Sequence, residues 1–144
     1  MKKARNILES KGNEVYSVES ESTVLDAIGL MAEKEIGALL VMNGTSLDGV
    51  FSERDYTRKV VLRGKSSRKT AVREIMTSEV VVAKPDHTVE ECMALMTDKR
   101  CRHLPVVEEG NVIGVLSIGD LVKTIIEDQQ FQIEQLESYI TTGY

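Results

Sequence analysis

Residues 49–55 read Gly-Val-Phe-Ser-Glu-Arg-Asp, and residues 114–120 read Gly-Val-Leu-Ser-Ile-Gly-Asp. Each stretch follows a short apolar run, precedes a helical pattern and places an aspartate three residues after a serine. That spacing is typical of a capping box at the start of a helix. It also directs a hydroxyl and helix N–H groups to one point, which suits an anion or a sugar hydroxyl. We call residues 49–55 the first motif and residues 114–120 the second motif, and the pattern by itself leaves capping and ligand binding both open.

The two motifs belong to a duplication that spans most of the chain. A shift of 65 residues, which moves residue 49 onto residue 114, aligns the two halves without a gap, with Leu39 on Leu104 and Val41 on Val106. One repeat alone is too small to bury a stable core, so we expect the repeats to pack against each other. The periodicity within each repeat predicts the order strand, helix, strand, strand, helix, which is an α/β (α+β) fold.

The patterns also predict the organisation of the 144 residues. The predicted parts are an N-terminal helix at 1–13, the first repeat at 14–62, a basic linker with a helical turn at 63–76, the second repeat at 77–128 and a helical extension at 129–144. Within the repeats we expect a strand at 80–83, a helix that ends at Gly37 and a helix over 53–62. The last helix carries an apolar stripe that we expect in the core or in a dimer interface, formed by Leu121, Ile125, Ile133, Leu136 and Ile140.

Composition restricts the possible functions. The charged fraction is 28% and the hydrophobic fraction 42%, which is typical of a globular chain. The formal net charge of -5 argues against nucleic acid as the main partner, because phosphate contacts need a basic surface. No run is long enough for a membrane span. The two cysteines form no disulfide framework, so we expect a cytoplasmic protein, and no Cys/His spacing indicates a metal site.

The paired motifs, the 65-residue repeat, the run Glu74-Ile75-Met76-Thr77 and the run Arg-His-Leu-Pro-Val-Val at 102–107 together resemble a tandem pair of cystathionine-β-synthase (CBS) domains, or Bateman module, of the stand-alone bacterial type. The resemblance covers residues 14–128. It implies two β-α-β-β-α repeats packed sheet to sheet about a pseudo-two-fold axis. It further implies a homodimer formed through the helices and a binding module rather than an enzyme.

The resemblance also implies two clefts, each lined by both repeats. The cleft of the second motif would use Ser117, Asp120, Arg102 and His103, with Ser17, Val18, Gly37 and Ala38 from the first repeat. The cleft of the first motif would use Ser52, Arg54 and Asp55, with Val82, Ala83, His103, Leu104 and Pro105 from the second repeat. In each cleft the aspartate would accept hydrogen bonds from a ribose diol, and the amide of Val18 or Ala83 would contact the adenine.

The expected function is therefore that of a non-enzymatic sensor that binds an adenine nucleotide and signals by a change in arrangement. We expect AMP, ADP or ATP, with AMP at the second motif and NAD(H) at the first, while S-adenosylmethionine stays a candidate. No catalytic residue, catalytic cofactor or metal is expected, and the sequence does not name the downstream protein. Two alternatives stay open: a structural interaction module with vestigial clefts, and a nucleotide-processing enzyme.

Overall fold

Over residues 2–142, which the computed structural model describes, the chain forms five α-helices and five strands. In chain order these are α1 (Ala4–Lys11), β1 (Ser17–Glu19), α2 (Val24–Lys34), β2 (Ala38–Asn43), β3 (Ser46–Ser52), α3 (Glu53–Asp55), α4 (Val89–Lys99), β4 (His103–Glu108), β5 (Asn111–Ser117) and α5 (Ile118–Thr142). A π-helical segment, Tyr56–Val61, continues α3, and a 3₁₀ turn lies at Val72–Glu74. The ends predicted at residues 1, 143 and 144 lie outside the described residues.

The first repeat forms a three-stranded sheet in the order β1-β2-β3. β1 runs parallel to β2, and β2 runs antiparallel to β3. The side chains of α2 and of this sheet meet in one core, whose most buried members include Val24, Ala27, Leu39, Val41 and Phe51. The order strand, helix, strand, strand, helix is confirmed here.

The strand predicted at the start of the second repeat is wrong. The described structure has an isolated parallel bridge there, between Ala83 and Val106, beside the two-stranded sheet of β4 and β5. In the first repeat the amide of Leu40 donates to the carbonyl of Tyr16 at 3.2 Å. The residue that aligns with Leu40 is Pro105, which has no amide proton and cannot donate this hydrogen bond. The ladder is shortened for that reason.

One predicted helix end is also wrong. α2 ends at Lys34 rather than at Gly37, and Glu35 then takes a left-handed backbone with φ 55°. Arg100 closes α4 in the same way, with φ 54°. This left-handed conformation costs a non-glycine residue about 1 kcal/mol. Because both repeats adopt it at the same position, we attribute it to the tertiary fold and not to the local preference of Glu35 or Arg100. The helix predicted over 53–62 is a short α-helix followed by the π-helical segment.

The contacts of the chain group into two units. The repeat-1 unit comprises Glu14–Val81 and Gly110–Val112, and the repeat-2 unit comprises residues 2–13, Val82–Glu109 and residues 113–142. α1 precedes the first repeat in the sequence but belongs to the repeat-2 unit, where it contacts α5.

The two segments that precede the repeats in the sequence make equivalent backbone hydrogen bonds, one segment in each unit. In the repeat-1 unit the amide of Val24 donates to the carbonyl of Thr70 at 2.9 Å. In the repeat-2 unit the amide of Val89 donates to the carbonyl of Lys2 at 3.1 Å. α1 with the residues just before it therefore occupies the place that residues 70–77 occupy in the repeat-1 unit. We call residues 2–11 and 70–77 the leading segments.

Each leading segment packs directly on the glycine of a motif. A Cβ atom on Gly49 would lie 2.7 Å from Sδ of Met76 and 2.8 Å from the backbone oxygen of Thr77. A Cβ atom on Gly114 would lie 2.5 Å from Cδ2 of Leu8. No side chain fits at these distances, so glycine permits the close approach of the leading segment.

We predict that Gly49→Ala destabilises the protein more than Gly114→Ala. The methyl group at Gly49 meets a backbone atom that cannot move alone, whereas the side chain of Leu8 can change rotamer. Overpacking of this kind costs about 1–3 kcal/mol, and chemical denaturation should give a loss in that range for Gly49→Ala and a smaller loss for Gly114→Ala.

Gly29→Ala in α2 is the matched control, because nothing lies within 4 Å of its added Cβ. Alanine there should stabilise the helix by up to about 1 kcal/mol. Equal losses for the two motif variants would contradict the prediction.

Candidate functional site

The serine and the aspartate of both motifs form capping boxes. The amide of Ser52 donates to Oδ2 of Asp55 at 3.0 Å, and the amide of Asp55 donates to Oγ of Ser52 at 3.2 Å. The corresponding distances between Ser117 and Asp120 are 2.8 and 3.1 Å. The capping interpretation of the motif is therefore confirmed. Any ligand must use a carboxylate that already accepts one backbone hydrogen bond.

Several donors of the repeat-1 unit surround the carboxylate of Asp55. Its Oδ2 also accepts from the hydroxyl of Ser52 at 3.1 Å, and its Oδ1 accepts from the hydroxyl of Thr77 at 3.1 Å. The Nζ atom of Lys59 lies 3.0 Å from Oδ1 and also donates to the carbonyl of Ile75 at 3.2 Å. Asp55 is 7% exposed. Hydrogen bonds and a paired cation make such a buried carboxylate tolerable, and a ribose reaches it only if donors are released.

The carboxylate of Asp120 is more open. Its Oδ2 accepts from the amide of Ser117 and from Nζ of Lys11 at 2.7 Å, and Lys11 also donates to the carbonyl of Val115 at 2.8 Å. The side chain of Asp120 is 22% exposed, against 10% for that of Asp55. Burial raises the pKa of the Asp120 carboxyl, but the hydrogen bonds from Lys11 and Ser117 outweigh burial and lower the pKa overall. The second motif thus holds an ionised carboxylate at a partly open helix start.

The first amide after each serine is also occupied. The amide of Glu53 donates to the carbonyl of Gly37 at 3.0 Å, and the amide of Ile118 donates to the carbonyl of Arg102 at 2.9 Å. Two of the first three amides of each helix are therefore satisfied within the chain. The hypothesis that these amides are open to an anion is wrong for those two positions, and the same bonds bring Gly37 and Arg102 next to the motifs.

The structure brings together most predicted site residues of the repeat-1 unit. Ala38 and Ser52 are partners across β2 and β3, and Gly37 lies beside them. Ser17 and Val18 pair with Leu40 and Val41 on the other side of β2. Arg54 is exposed. The contribution of Ser17, Val18, Gly37 and Ala38 to the cleft of the second motif stays a prediction.

In the repeat-2 unit, Arg102 and Val82 are exposed and His103 is half-buried, whereas Ala83, Leu104 and Pro105 are buried. The buried side chains form part of the core. The amide of Ala83 donates to the carbonyl of Pro105 at 2.9 Å, so that amide is already satisfied within the chain. The contribution of Val82, Ala83, His103, Leu104 and Pro105 to the cleft of the first motif stays a prediction.

A cavity of about 460 Å³ lies within the repeat-1 unit, between the end of α2 and the start of α3. Met31, Ile36 and Tyr56 supply apolar walls, and Glu35 and Glu53 supply carboxylates. Oε1 of Glu53 lies 3.2 Å from where a Cβ of Gly37 would be. Gly37 therefore lies beside two carboxylates, which disfavour a phosphate there.

Three residues that hold the motif aspartates are absent from the sequence-based site, namely Lys11, Lys59 and Thr77. Lys59 follows Asp55 by four residues, a spacing at which side chains of a helix meet, and this signal was available. Lys11 and Thr77 lie on leading segments, 109 and 22 residues from their aspartates. No local spacing indicates such distant contacts.

The remaining His, Cys, Asp and Glu residues within residues 2–142 bear on metal binding and on thiol chemistry. No group of three His, Cys, Asp or Glu residues there is arranged to hold a metal ion. Burial, followed by the charge of Glu91, raises the pKa of Cys92 to about 11, as expected for a core thiol. None of the described helices combines the length and apolar character needed to cross a membrane.

The comparisons with family models, curated proteins and solved structures all indicate the same family. The family model described as CBS domain matches residues 7–62 and 72–127. A mitochondrial CBS domain-containing protein of Arabidopsis thaliana, CBSX3, is 38% identical over 130 residues, which are 87% of this chain. The alignment spans 63% of the length of that protein.

Solved structures agree with this result. A CBS-domain structure from Burkholderia ambifaria MC40-6 is 52% identical with a TM-score of 0.85, and the match covers 88% of this chain and 96% of that one. The CBS-domain protein ATU1752 from Agrobacterium tumefaciens is 34% identical with a TM-score of 0.81, and the match covers 85% and 98% of the two chains.

We predict that Lys11→Met raises the pKa of Asp120, because it removes the ammonium group but leaves the burial that raises this pKa. The lowered pKa of Asp120 stabilises the fold above the pKa of the unfolded chain, and this contribution is lost as the pH falls through the folded pKa. The wild type should therefore exceed Lys11→Met in stability by about 1 kcal/mol at neutral pH. The difference should shrink in acid.

Carboxyl NMR titration and denaturation at several pH values measure the two effects. Lys2→Met is the matched control, because Lys2 pairs with Asp128 at 3.3 Å on the same helix and does not contact Asp120. An unchanged pKa of Asp120 in Lys11→Met would rule out the assigned cause.

Proposed function

The chain belongs to the CBS-domain family and carries two copies of the domain in tandem, and we propose that it is a non-enzymatic regulatory module that binds an adenine nucleotide at the second motif. AMP is the proposed ligand, and ADP and ATP share its chemistry. Binding signals through a change in the arrangement of the module. A ligand shifts such an equilibrium only by its different affinity for the two states.

The observation that carries this proposal is the partly open carboxylate of Asp120. The amide of Ser117 holds this carboxylate in place at the start of α5, and its pKa keeps it ionised at neutral pH. One carboxylate can accept hydrogen bonds from both hydroxyls of a vicinal diol, as the acidic residue of a dinucleotide-binding fold does. A ribose is therefore the chemical partner that suits this group.

Cations beside Asp120 favour a phosphorylated ribose. Lys11 contacts the carboxylate, and the exposed Arg102 lies next to the second motif through its bonded carbonyl. A diol that takes over Asp120 releases the ammonium group of Lys11 for the phosphate. Because Lys11 is the last residue of α1, this exchange would transmit ligand binding to the N-terminal helix.

The first motif supports a second candidate function, that of an interaction module whose cleft there is vestigial. The donors on Asp55 and its low exposure favour a structural role. NAD(H) at the first motif is the alternative within our proposal. It requires release of Thr77 and Lys59 from Asp55, and it must accommodate Glu35 and Glu53 beside Gly37.

The proposal includes a homodimer that acts on a downstream protein in the cytoplasm. Of the predicted apolar stripe, Leu121 is fully buried and Ile125 is half-buried, whereas Ile133, Leu136 and Ile140 are exposed. Unpaired cysteines fit a reducing compartment. The Arabidopsis relative is named as mitochondrial.

We predict that Asp120→Asn weakens AMP binding about 10-fold to 100-fold, because charge-assisted hydrogen bonds to the diol are lost. Isothermal titration calorimetry with AMP, ADP, ATP, NAD(H) and S-adenosylmethionine measures this. Asp128→Asn on the same helix is the matched control and should bind AMP like the wild type. No heat with any of the five compounds would refute the proposed function.

We further predict that the two motifs are not equivalent ligand sites. One AMP should bind per chain and should be lost in Asp120→Asn, whereas Asp55→Asn should retain it. NAD(H) added to AMP-saturated protein should then bind separately or not at all. Two AMP per chain, with competition by NAD(H), would contradict the asymmetry.

A further inference from the structure

The helix α5 presents two different stripes. The first faces the repeat-2 unit, where Leu121 is fully buried, Thr124 is 7% exposed and Asp128 pairs with Lys2. The second stripe lies about 100° around the helix from the first. It contains apolar side chains that are 42–62% exposed, namely Val122, Ile126, Ile133, Leu136 and Ile140.

The exposed stripe follows a seven-residue repeat. Ile126, Ile133 and Ile140 are spaced by seven residues, and Val122, Gln129 and Leu136 form a second series with the same spacing. These are the a and d positions of a heptad, and the slow drift of such a stripe along a helix indicates a second helix that runs alongside. From Val122 to Ile140 the stripe is about 27 Å long.

We infer that the exposed stripe of α5 pairs with α5 of a second copy of this chain as a parallel, two-stranded coiled coil. This deepens the proposed homodimer by assigning its contact surface, and it does not depend on nucleotide binding. Isoleucine at a with leucine at d, as at Leu136, is a combination that favours two parallel strands.

The charges beside the stripe are compatible with a second copy. The e and g positions along its C-terminal half hold Gln130, Gln132, Glu137 and Tyr139, so the g-to-e contact of a parallel pair sets Gln132 against Glu137 rather than acid against acid. The acidic residues Glu127, Asp128 and Glu134 occupy b and c positions, away from the contact. The chain has a net charge of -5, and this placement reduces the repulsion between the two helices at their contact.

Gln129 determines the direction of the pair. In a parallel pair in register, Gln129 of one chain lies opposite Gln129 of the second chain, and the two side-chain amides can hydrogen-bond to each other. In an antiparallel pair centred on the stripe, Gln129 meets Ile133, and a buried amide loses its partner at a cost. The polar layer therefore selects the parallel arrangement.

The test uses the full chain with Ile133→Asp and the matched control Phe131→Asp. Phe131 is 62% exposed and lies two residues away, at an f position outside the stripe. Both substitutions cost the helix the same intrinsic propensity, so circular dichroism should not separate them. In sedimentation over a concentration series, the wild type and Phe131→Asp should dimerise alike. Ile133→Asp should raise the dimer dissociation constant at least about 30-fold, because it brings two carboxylates into an apolar layer.

Equal dimer dissociation constants for Ile133→Asp and Phe131→Asp would overturn the coiled coil but not the homodimer. A monomeric wild type would overturn both. Orientation is tested in a Cys101→Ser background, in which Cys92 is fully buried. With oxidised glutathione as oxidant, Ile133→Cys should give a disulfide-linked dimer and Phe131→Cys should not. Failure of Ile133→Cys to cross-link would overturn the parallel register.

Discussion

The reciprocal hydrogen bonds between serine and aspartate fix the point at which a strand becomes a helix in each repeat. This arrangement requires a carboxylate to stay charged while partly or fully buried, and a buried charge needs a cation or several donors. Both units meet this requirement by bringing a leading segment against the motif. The glycine at the start of the motif makes the approach possible, because a Cβ at either position would collide with that segment.

The two repeats meet the same requirement with different residues. In the first, Lys59 supplies the cation from four residues after Asp55. The residue that aligns with Lys59 in the second repeat is Thr124, whose hydroxyl donates to the carbonyl of Asp120 at 2.9 Å instead. The missing cation comes from Lys11 at the end of α1. The absence of a cation on one element is thus compensated by another element, and the compensating cation is the one that the proposed ligand would displace.

Periodicity and capping patterns were sufficient to predict most of the fold, because the repeat, the helix starts and the hairpins depend on residues close in sequence. The absence of the strand expected at the start of the second repeat was not predicted, since it depends on a proline in a neighbouring strand. The motif aspartates could be identified as site candidates, but the donors of the chain that already contact their carboxylates could not. The contacts of Lys11 and Thr77 come from the docking of leading segments, which no local pattern of side chains describes.

The ion pair of Lys11 also bears on which ligand the second motif would select. In the proposed complex a ribose diol replaces the ammonium group on Asp120, and that group would then be left partly buried without an anion. The loss of this charge-assisted contact offsets part of the gain from the two neutral hydroxyls. A nucleoside offers no replacement, whereas a nucleotide offers its phosphate to Lys11 and Arg102. The pair that stabilises the unliganded fold thereby favours a phosphorylated ligand, since such a ligand satisfies both members of the pair together.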